Sequence, residues 1–227
     1  MLYPALTRRE TIWGWAYLIF QMTFLPTLLT QGNSRLTAPL SSSQLNFLFF
    51  LLNFLAVILI FHRYLKLCLK TVKADPGRFF KITALGFLFY LLCTYCFQLV
   101  LIWLRPQFIN LNDQAVGAMA GREYLLMAMG TVILVPLAEE CFYRGLIFGP
   151  LYEKSRILSY SLSDSLFSLI HILGFLGVYQ GPDLLLSFLQ YLPAGLILAY
   201  AYRKSGTLFA PVLIHALVNL RGIWLMR

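Results

Sequence analysis

Seven long apolar segments divide the sequence, and this pattern constrains the fold more than any other feature. A helix needs about 20 predominantly apolar residues to cross a bilayer. Only 12% of the residues are charged and 59% are hydrophobic, whereas a soluble domain carries about 25% charged residues. The sequence therefore predicts an all-α fold, a polytopic membrane helix bundle with about seven transmembrane helices. The predicted segments are residues 11–30, 44–61, 79–104, 124–149, 163–178, 184–202 and 207–225.

The basic residues outside these segments predict the orientation of the chain. With a cytoplasmic N-terminus, twelve of them lie on the cytoplasmic side and five on the other, as the positive-inside rule requires. The positive-inside rule therefore accounts for the net charge of +9. The lipid bilayer is an expected partner, and nucleic acid is not. The twelve are Arg8, Arg9, Arg63, Lys66, Lys70, Lys73, Arg78, Lys81, Lys154, Arg156, Arg203 and Lys204, and the five are Arg35, Arg105, Arg122, Arg221 and Arg227.

Two stretches between the predicted spans are interpreted as loops. Residues 62–78 are strongly basic and contain the turn signal Asp75-Pro76-Gly77, which is typical of a connection. Residues 106–121 could contain an eighth, amphipathic segment, but they are interpreted as an external loop, because Asn110, Asn112 and Asp113 interrupt the apolar run.

Three of the predicted spans carry polar side chains that membrane helices rarely contain. A charged side chain at the centre of such a helix costs roughly 2.5–3.5 kcal/mol, so its presence indicates a function. At 1.5 Å per residue, Glu140 lies about 13 Å from the cytoplasmic end of its helix, and His171 and His215 lie about 12 Å from theirs. We therefore expect them at one depth. The candidate site residues are Glu139, Glu140, Arg144, His171, His215 and Asn219.

Helical periodicity divides the roles of the two glutamates. Glu140 and Arg144 are four residues apart, so they lie on one helix face and can pair. Glu139 points roughly 100° away from Glu140. We therefore expect Glu140 to be structural and Glu139 to be the chemical group. Phe167 precedes His171 by four residues and thus shares its face.

These residue types fit amide hydrolysis inside the bilayer without a serine or cysteine nucleophile. A carboxylate and an imidazole around one water form a general base, which predicts this role for Glu139 and His171. A second imidazole and an amide can donate hydrogen bonds to an oxyanion, which suits His215 and Asn219. Pro136, three residues before Glu139, lacks a backbone donor and is expected to free carbonyl groups near the site.

Three motifs in order resemble one protein family. Residues 139–145, EECFYRG, resemble the E-E-x-x-x-R motif of the CAAX protease and bacteriocin-processing family, also called the Abi family. Residues 167–171, FSLIH, and 215–219, HALVN, resemble its F-x-x-x-H and H-x-x-x-N motifs. The resemblance covers about residues 124–222, and the first three predicted helices carry no recognised motif.

The resemblance implies a glutamate-dependent intramembrane endopeptidase, related to type II CAAX prenyl endopeptidases. It assigns water activation to Glu139 and His171, the oxyanion to His215 and Asn219, and support to Glu140 and Arg144. No cofactor and no metal are implied. Residues 1–123 would then be N-terminal helices with a basic cytoplasmic loop, and residues 124–227 the catalytic core, within one integral membrane domain.

The resemblance also indicates partners and location. Eukaryotic members cleave prenylated CAAX proteins, and many bacterial members are linked to bacteriocin maturation or self-immunity. The expected partner is therefore a peptide or protein substrate at the membrane, either prenylated or a bacteriocin-like precursor. The length and the family favour a bacterial plasma membrane.

Three alternatives stay open. Glu139, His171 and His215 are a legitimate zinc-ligand set, although the H-E-x-x-H spacing of many zinc proteases does not occur. The chain could instead bind peptides without cleaving them and confer bacteriocin self-immunity. A transporter would favour inverted repeats, and the sequence shows no internal symmetry.

Overall fold

The computed structural model describes residues 4–179 and 181–226 and confirms the all-α fold. Within these residues the chain forms ten helices and no β-strand. Arg227, which was assigned to the external side, lies outside the described residues, as do residues 1–3 of the N-terminal region. The helices are α1 Arg8–Thr23, α2 Leu25–Ser34, α3 Ser42–Ile60, α4 His62–Ala74, α5 Pro76–Leu104, α6 Leu111–Ala120, α7 Tyr124–Tyr152, α8 Arg156–Leu173, α9 Pro182–Ser205 and α10 Phe209–Leu225.

Four of the described helices are long and apolar enough to cross a membrane, namely α3, α5, α7 and α9. The pair α1 and α2 adds a fifth span if the two helices are counted together. Helix α10 is apolar but has only 17 residues. The protein is thus an integral membrane helix bundle, while the count of seven spans and the division at residue 123 stay predictions.

The first predicted span is broken in the structure. Helices α1 and α2 meet at Phe24 with a bend of 46°. Pro26 lies in the first turn of α2 and cannot donate a hydrogen bond back to α1. The single segment predicted over residues 11–30 is therefore two helices.

Both stretches interpreted as loops are helical, so these two interpretations were wrong. Helix α6 begins where the Asn110 side chain accepts a hydrogen bond from the Asp113 backbone N–H. Its ends are held by the buried Leu111 and Ala120. Asn110, one of the polar residues that suggested a loop, therefore caps the helix. Helix α4 occupies most of the basic stretch and buries Tyr64.

Helix α8 also differs from the predicted span of residues 163–178. It begins at Arg156, after Ser155 caps its first turn, and ends at Leu173. Ser159 and Ser163 are buried and donate to the backbone carbonyls of Phe148 and Tyr143 in α7. The serines are buried at a helix interface, but they lower the hydropathy of the first turns. The apolar pattern therefore placed the start of the helix too late.

Helix α7 contains two π-helical stretches, Gly130–Leu134 and Cys141–Phe148, on either side of an α-helical stretch that ends in the two glutamates. Such stretches occur frequently at functional sites. A Cβ atom at Gly130 would lie 2.7 Å from the Phe50 ring, so glycine permits α3 to approach the first stretch closely.

A buried carboxylate ties α1 to α4. Glu10 is 4% exposed, and one of its oxygens accepts from the Tyr64 backbone N–H at 2.9 Å. The other oxygen accepts from the backbone and hydroxyl of Thr7. The charge lies at the N-terminus of α4, where it is also favoured by the helix dipole.

We expect Glu10→Ala to lower the free energy of unfolding by about 1.5–3 kcal/mol, the usual contribution of hydrogen bonds to a charged group. Thermal unfolding in detergent measures this loss. Glu153→Ala is the matched control, because Glu153 is exposed. Equal midpoints for the two variants would contradict the structural role of Glu10.

Candidate active site

The two glutamates occupy different environments at the end of one helical stretch. The Glu140 side chain is fully buried, whereas that of Glu139 is 22% exposed. They follow each other in an α-helical stretch, so their side chains point about 100° apart. One carboxylate is therefore enclosed in the protein interior, and the other is partly exposed.

Glu140 forms a buried ion pair with Arg144, as the spacing predicted. The Arg144 Nε lies 3.1 Å from Glu140 Oε2, and both side chains are fully buried. A second guanidinium nitrogen donates to the Gly195 carbonyl of α9 at 2.9 Å. The guanidinium also lies 4.5 Å from the centre of the Phe167 ring, a favourable cation–π distance. Arg144 thus joins α7, α8 and α9.

His215 bridges the two glutamates. Its Nδ1 lies 3.1 Å from Glu140 Oε1, and its Nε2 lies 4.0 Å from Glu139 Oε2. Because a carboxylate only accepts, Nδ1 carries a proton in this contact. This contact with Glu140 fixes the tautomer and the orientation of the imidazole, and with them the position of Nε2.

His171 lies on the other side of Phe167. Its Nδ1 is 2.8 Å from the Phe167 carbonyl, so Nδ1 donates and Nε2 has a free lone pair in the neutral ring. The ring stacks on Tyr191 with 3.9 Å between centroids. Glu139 and His215 lie close enough to interact electrostatically with it.

Asn219 contacts the backbone of α7. Its Nδ2 donates to the Thr131 carbonyl at 2.8 Å. Within the first π-helical stretch, Val135 N–H bonds to the Gly130 carbonyl five residues earlier. The next bond in this series would run from residue 136 to Thr131, but Pro136 has no N–H. Asn219 therefore satisfies a carbonyl group that the proline leaves free, and it retains a second amide N–H.

Tyr191 and its polar neighbours were not identified from the sequence. The Tyr191 hydroxyl accepts from Asn112 at 3.0 Å and lies 3.3 Å from Asp113 Oδ1. Burial raises the pKa of Asp113, while the hydrogen bond from Tyr191 and the charge of His171 lower it. Helix α6 thus holds the ring on which His171 stacks. No sequence signal marks a tyrosine in an apolar helix for this role.

Asp164 was also missed, although a signal existed. It is 5% exposed and interacts electrostatically with Arg144. A Cβ atom at Gly195 would overlap its carboxylate, so only glycine fits against it. A carboxylate inside an apolar segment is the same signal that identified the glutamates.

A small cavity opens beside Glu139, on the side of α1 and α3. Its polar lining residues are Gln21, Asn53 and Glu139, and most of the others are aromatic or aliphatic. Neither His171 nor His215 lines it. Glu139 therefore lies between this cavity and the histidines.

The site therefore brings most of the predicted residues together. Glu139, Glu140, Arg144 and His215 are in direct contact or within 4.0 Å. His171 and Phe167 adjoin them through ring contacts, and Asn219 lies one turn from His215 on α10. Among the described residues, no three His, Cys, Asp or Glu side chains converge in an arrangement suited to a metal ion.

The chain is similar to proteins of one family. A family model described as "Type II CAAX prenyl endopeptidase Rce1-like" matches residues 121–221. The UPF0177 protein YxdF of Lactococcus lactis is 32% identical over 162 residues, which cover 70% of this chain and 82% of that protein. "Putative membrane peptidase YdiL" of Bacillus subtilis is 30% identical over 95 residues, which cover 41% of this chain and 34% of that protein. No solved structure shows a significant match.

Proposed function

Because the chain belongs to the CAAX protease and bacteriocin-processing family, which is related to the type II CAAX prenyl endopeptidases, we propose that it is an intramembrane endopeptidase in which Glu139 and His171 activate water. The observation that carries this proposal is the separation of the two carboxylates. Glu140 is neutralised by Arg144 and His215. The Glu139 Oε2 atom has no hydrogen-bond partner among the described residues and stays available as a base.

In the first step, water attacks the carbonyl carbon of the scissile peptide bond. The Glu139 carboxylate takes one proton from the water as the new C–O bond forms. The lone pair on His171 Nε2, left free by the bond from Nδ1 to Phe167, accepts a hydrogen bond from the same water and orients it. Stacking on Tyr191 fixes the plane of that imidazole.

The carbonyl oxygen becomes an oxyanion that needs donors. The second amide N–H of Asn219 and a proton on His215 Nε2 supply them. With both ring nitrogens of His215 protonated, the charges of Glu139, Glu140, Arg144 and His215 sum to zero, which suits a site in a bilayer. Collapse of the intermediate breaks the C–N bond, and the proton held by Glu139 passes to the leaving amine.

The substrate is a peptide or protein at the membrane, either prenylated or a bacteriocin-like precursor. The family and the length lead us to place the protein in a bacterial plasma membrane. Its N-terminus is placed in the cytoplasm, because with seven spans twelve basic residues then lie on the inner side and five on the outer side. Helix α4 alone carries four basic residues and no acidic one, which supports the same orientation.

A cleavage assay that compares wild type with variants at His171 and at His62 tests this function. Purified protein in liposomes is given a panel of prenylated and membrane-proximal peptides, with and without chelator. We expect wild type to cleave at least one peptide in both conditions. His171→Phe keeps an aromatic ring against Tyr191 but removes the nitrogen base, so its kcat is expected to fall by about 100-fold or more.

His62→Phe is the matched control, because His62 is exposed at the start of α4. This variant should cleave peptides at the wild-type rate. Loss of activity in chelator, restored by zinc, would replace the proposal with a metal-dependent hydrolysis. No cleavage of any peptide by wild type would instead favour a non-catalytic peptide-binding or immunity protein.

A further inference from the structure

The cavity beside Glu139 has a second polar wall that the proposed chemistry does not use. We propose that this cavity holds a water that waits to enter the reaction, and that Asn53 of α3 binds it together with Glu139, which then passes it to the side of His171. This inference rests on the proposed hydrolase function. It would give the N-terminal helices, which lie outside the matched residues 121–221, a direct part in the reaction.

The orientation of the Asn53 amide is fixed by its own helix. Its Nδ2 donates to the Phe49 carbonyl at 2.8 Å, and a carbonyl can accept only from the nitrogen end of an amide. Its Oδ1 atom therefore points elsewhere. Asn53 is 5% exposed, and among the described residues Oδ1 has no hydrogen-bond partner.

Two buried acceptors thus belong to residues that line one cavity. The Glu139 Oε2 atom is likewise buried and without a hydrogen-bond partner among the described residues, and Glu139 and Asn53 both line the cavity. Two acceptors cannot bond to each other, but one molecule with two O–H donors can bridge them. Water is such a molecule, and a buried polar acceptor left without a donor is unfavourable.

The surroundings explain why such a site is needed. Aromatic side chains, including Phe49, Phe50 and Phe142, form much of the remaining wall, and a wall of this kind does not retain water by itself. Each turnover consumes one water. Asn53 and the neighbouring Gln21, which is 6% exposed, give the cavity the polar groups that an ordered water requires.

Asn53→Leu removes the acceptor while keeping a branched side chain with the same number of heavy atoms. We expect its kcat to fall about tenfold, the effect of one lost hydrogen bond, with KM unchanged because the lost bond is to water and not to the peptide. Asn46→Leu is the matched control. Asn46 lies two turns earlier on α3, half-buried, and its amide contacts Met119 rather than the cavity. Its kcat should equal that of wild type.

A second measurement does not depend on activity. In pH-difference infrared spectra, we expect wild type and Asn46→Leu to show a water O–H band that shifts in H₂¹⁸O. This band should be absent from Asn53→Leu and from Glu139→Leu. Asn53→Ser keeps an oxygen acceptor and should keep the band. If Asn53→Leu does not fold, Asn53→Ala takes its place.

The outcomes separate this inference from the proposed function. Absence of the band from wild type, or its persistence in Asn53→Leu, would overturn the water site even if peptides are cleaved. Equal losses of thermal stability in Asn53→Leu and Asn53→Ser would show a structural role and would also overturn it. A wild type that retains the band but cleaves no peptide would support the water site and count against the protease.

Discussion

Glu139→Gln is expected to lower kcat by about 10²–10⁴-fold, the usual effect of removing a general base. Glutamine has the same shape but cannot take the proton of the attacking water. The fold should tolerate the change, because the Glu139 side chain is partly exposed and its Oε2 has no hydrogen-bond partner among the described residues. We therefore expect an unchanged thermal midpoint. Cleavage kinetics and thermal unfolding on the same preparation measure both quantities.

Glu123→Gln is the control for the general effect of losing a carboxylate. Glu123 precedes α7 and accepts from Ser41 on the exposed side of the chain, far along the helix from the site. Its kcat should stay at the wild-type value. If Glu139→Gln cleaves peptides at the wild-type rate, Glu139 is not the base, and the roles of the two glutamates must be reassigned.

Arg144→Met is expected to lower the free energy of unfolding by about 3–5 kcal/mol, the usual cost of removing one partner of a buried ion pair, because Glu140 keeps only its contact with His215. The guanidinium also contacts the Gly195 carbonyl and the Phe167 ring, so three helices lose a common partner. The Tm in detergent should therefore fall far more than it does for Glu139→Gln. Thermal or chemical unfolding measures the difference.

Arg105→Met is the matched control for the loss of an ion pair. Arg105 pairs with Asp183 at 2.9 Å, but both side chains are more than one third exposed, and exposed pairs contribute about 0–1 kcal/mol. The double variant Glu140→Gln with Arg144→Met should recover part of the loss, since it removes both charges. Equal effects of Arg105→Met and Arg144→Met would refute the assigned importance of the buried pair.

The apolar pattern predicted most of the helical architecture. The second segment, predicted over residues 44–61, is α3 Ser42–Ile60, and the sixth, over residues 184–202, is α9 Pro182–Ser205. Long apolar runs determine where such helices lie, because the bilayer allows few other structures. The pairing of Glu140 with Arg144 was predicted equally well, because it depends only on the helical repeat.

Contacts between distant parts of the chain could not be predicted in this way. The bond between His215 and Glu140 depends on how α10 packs against α7, and nothing in a helical repeat determines that packing. The two π-helical stretches of α7 also have no simple sequence signal. Serines in the sequence were compatible with either a helix or a loop. Ser159 and Ser163 lie within a helix and bury their hydroxyls against carbonyl groups of α7.

The location of the ion pair within one helix has a consequence for biogenesis. Glu140 and Arg144 are one turn apart on α7, so they can neutralise each other while the nascent chain leaves the translocon, before any later helix has been made. His215 is synthesised 75 residues after Glu140 and can join only when α10 enters the lipid. Delivery of the charged helix to the bilayer and assembly of the site are therefore separate events in time.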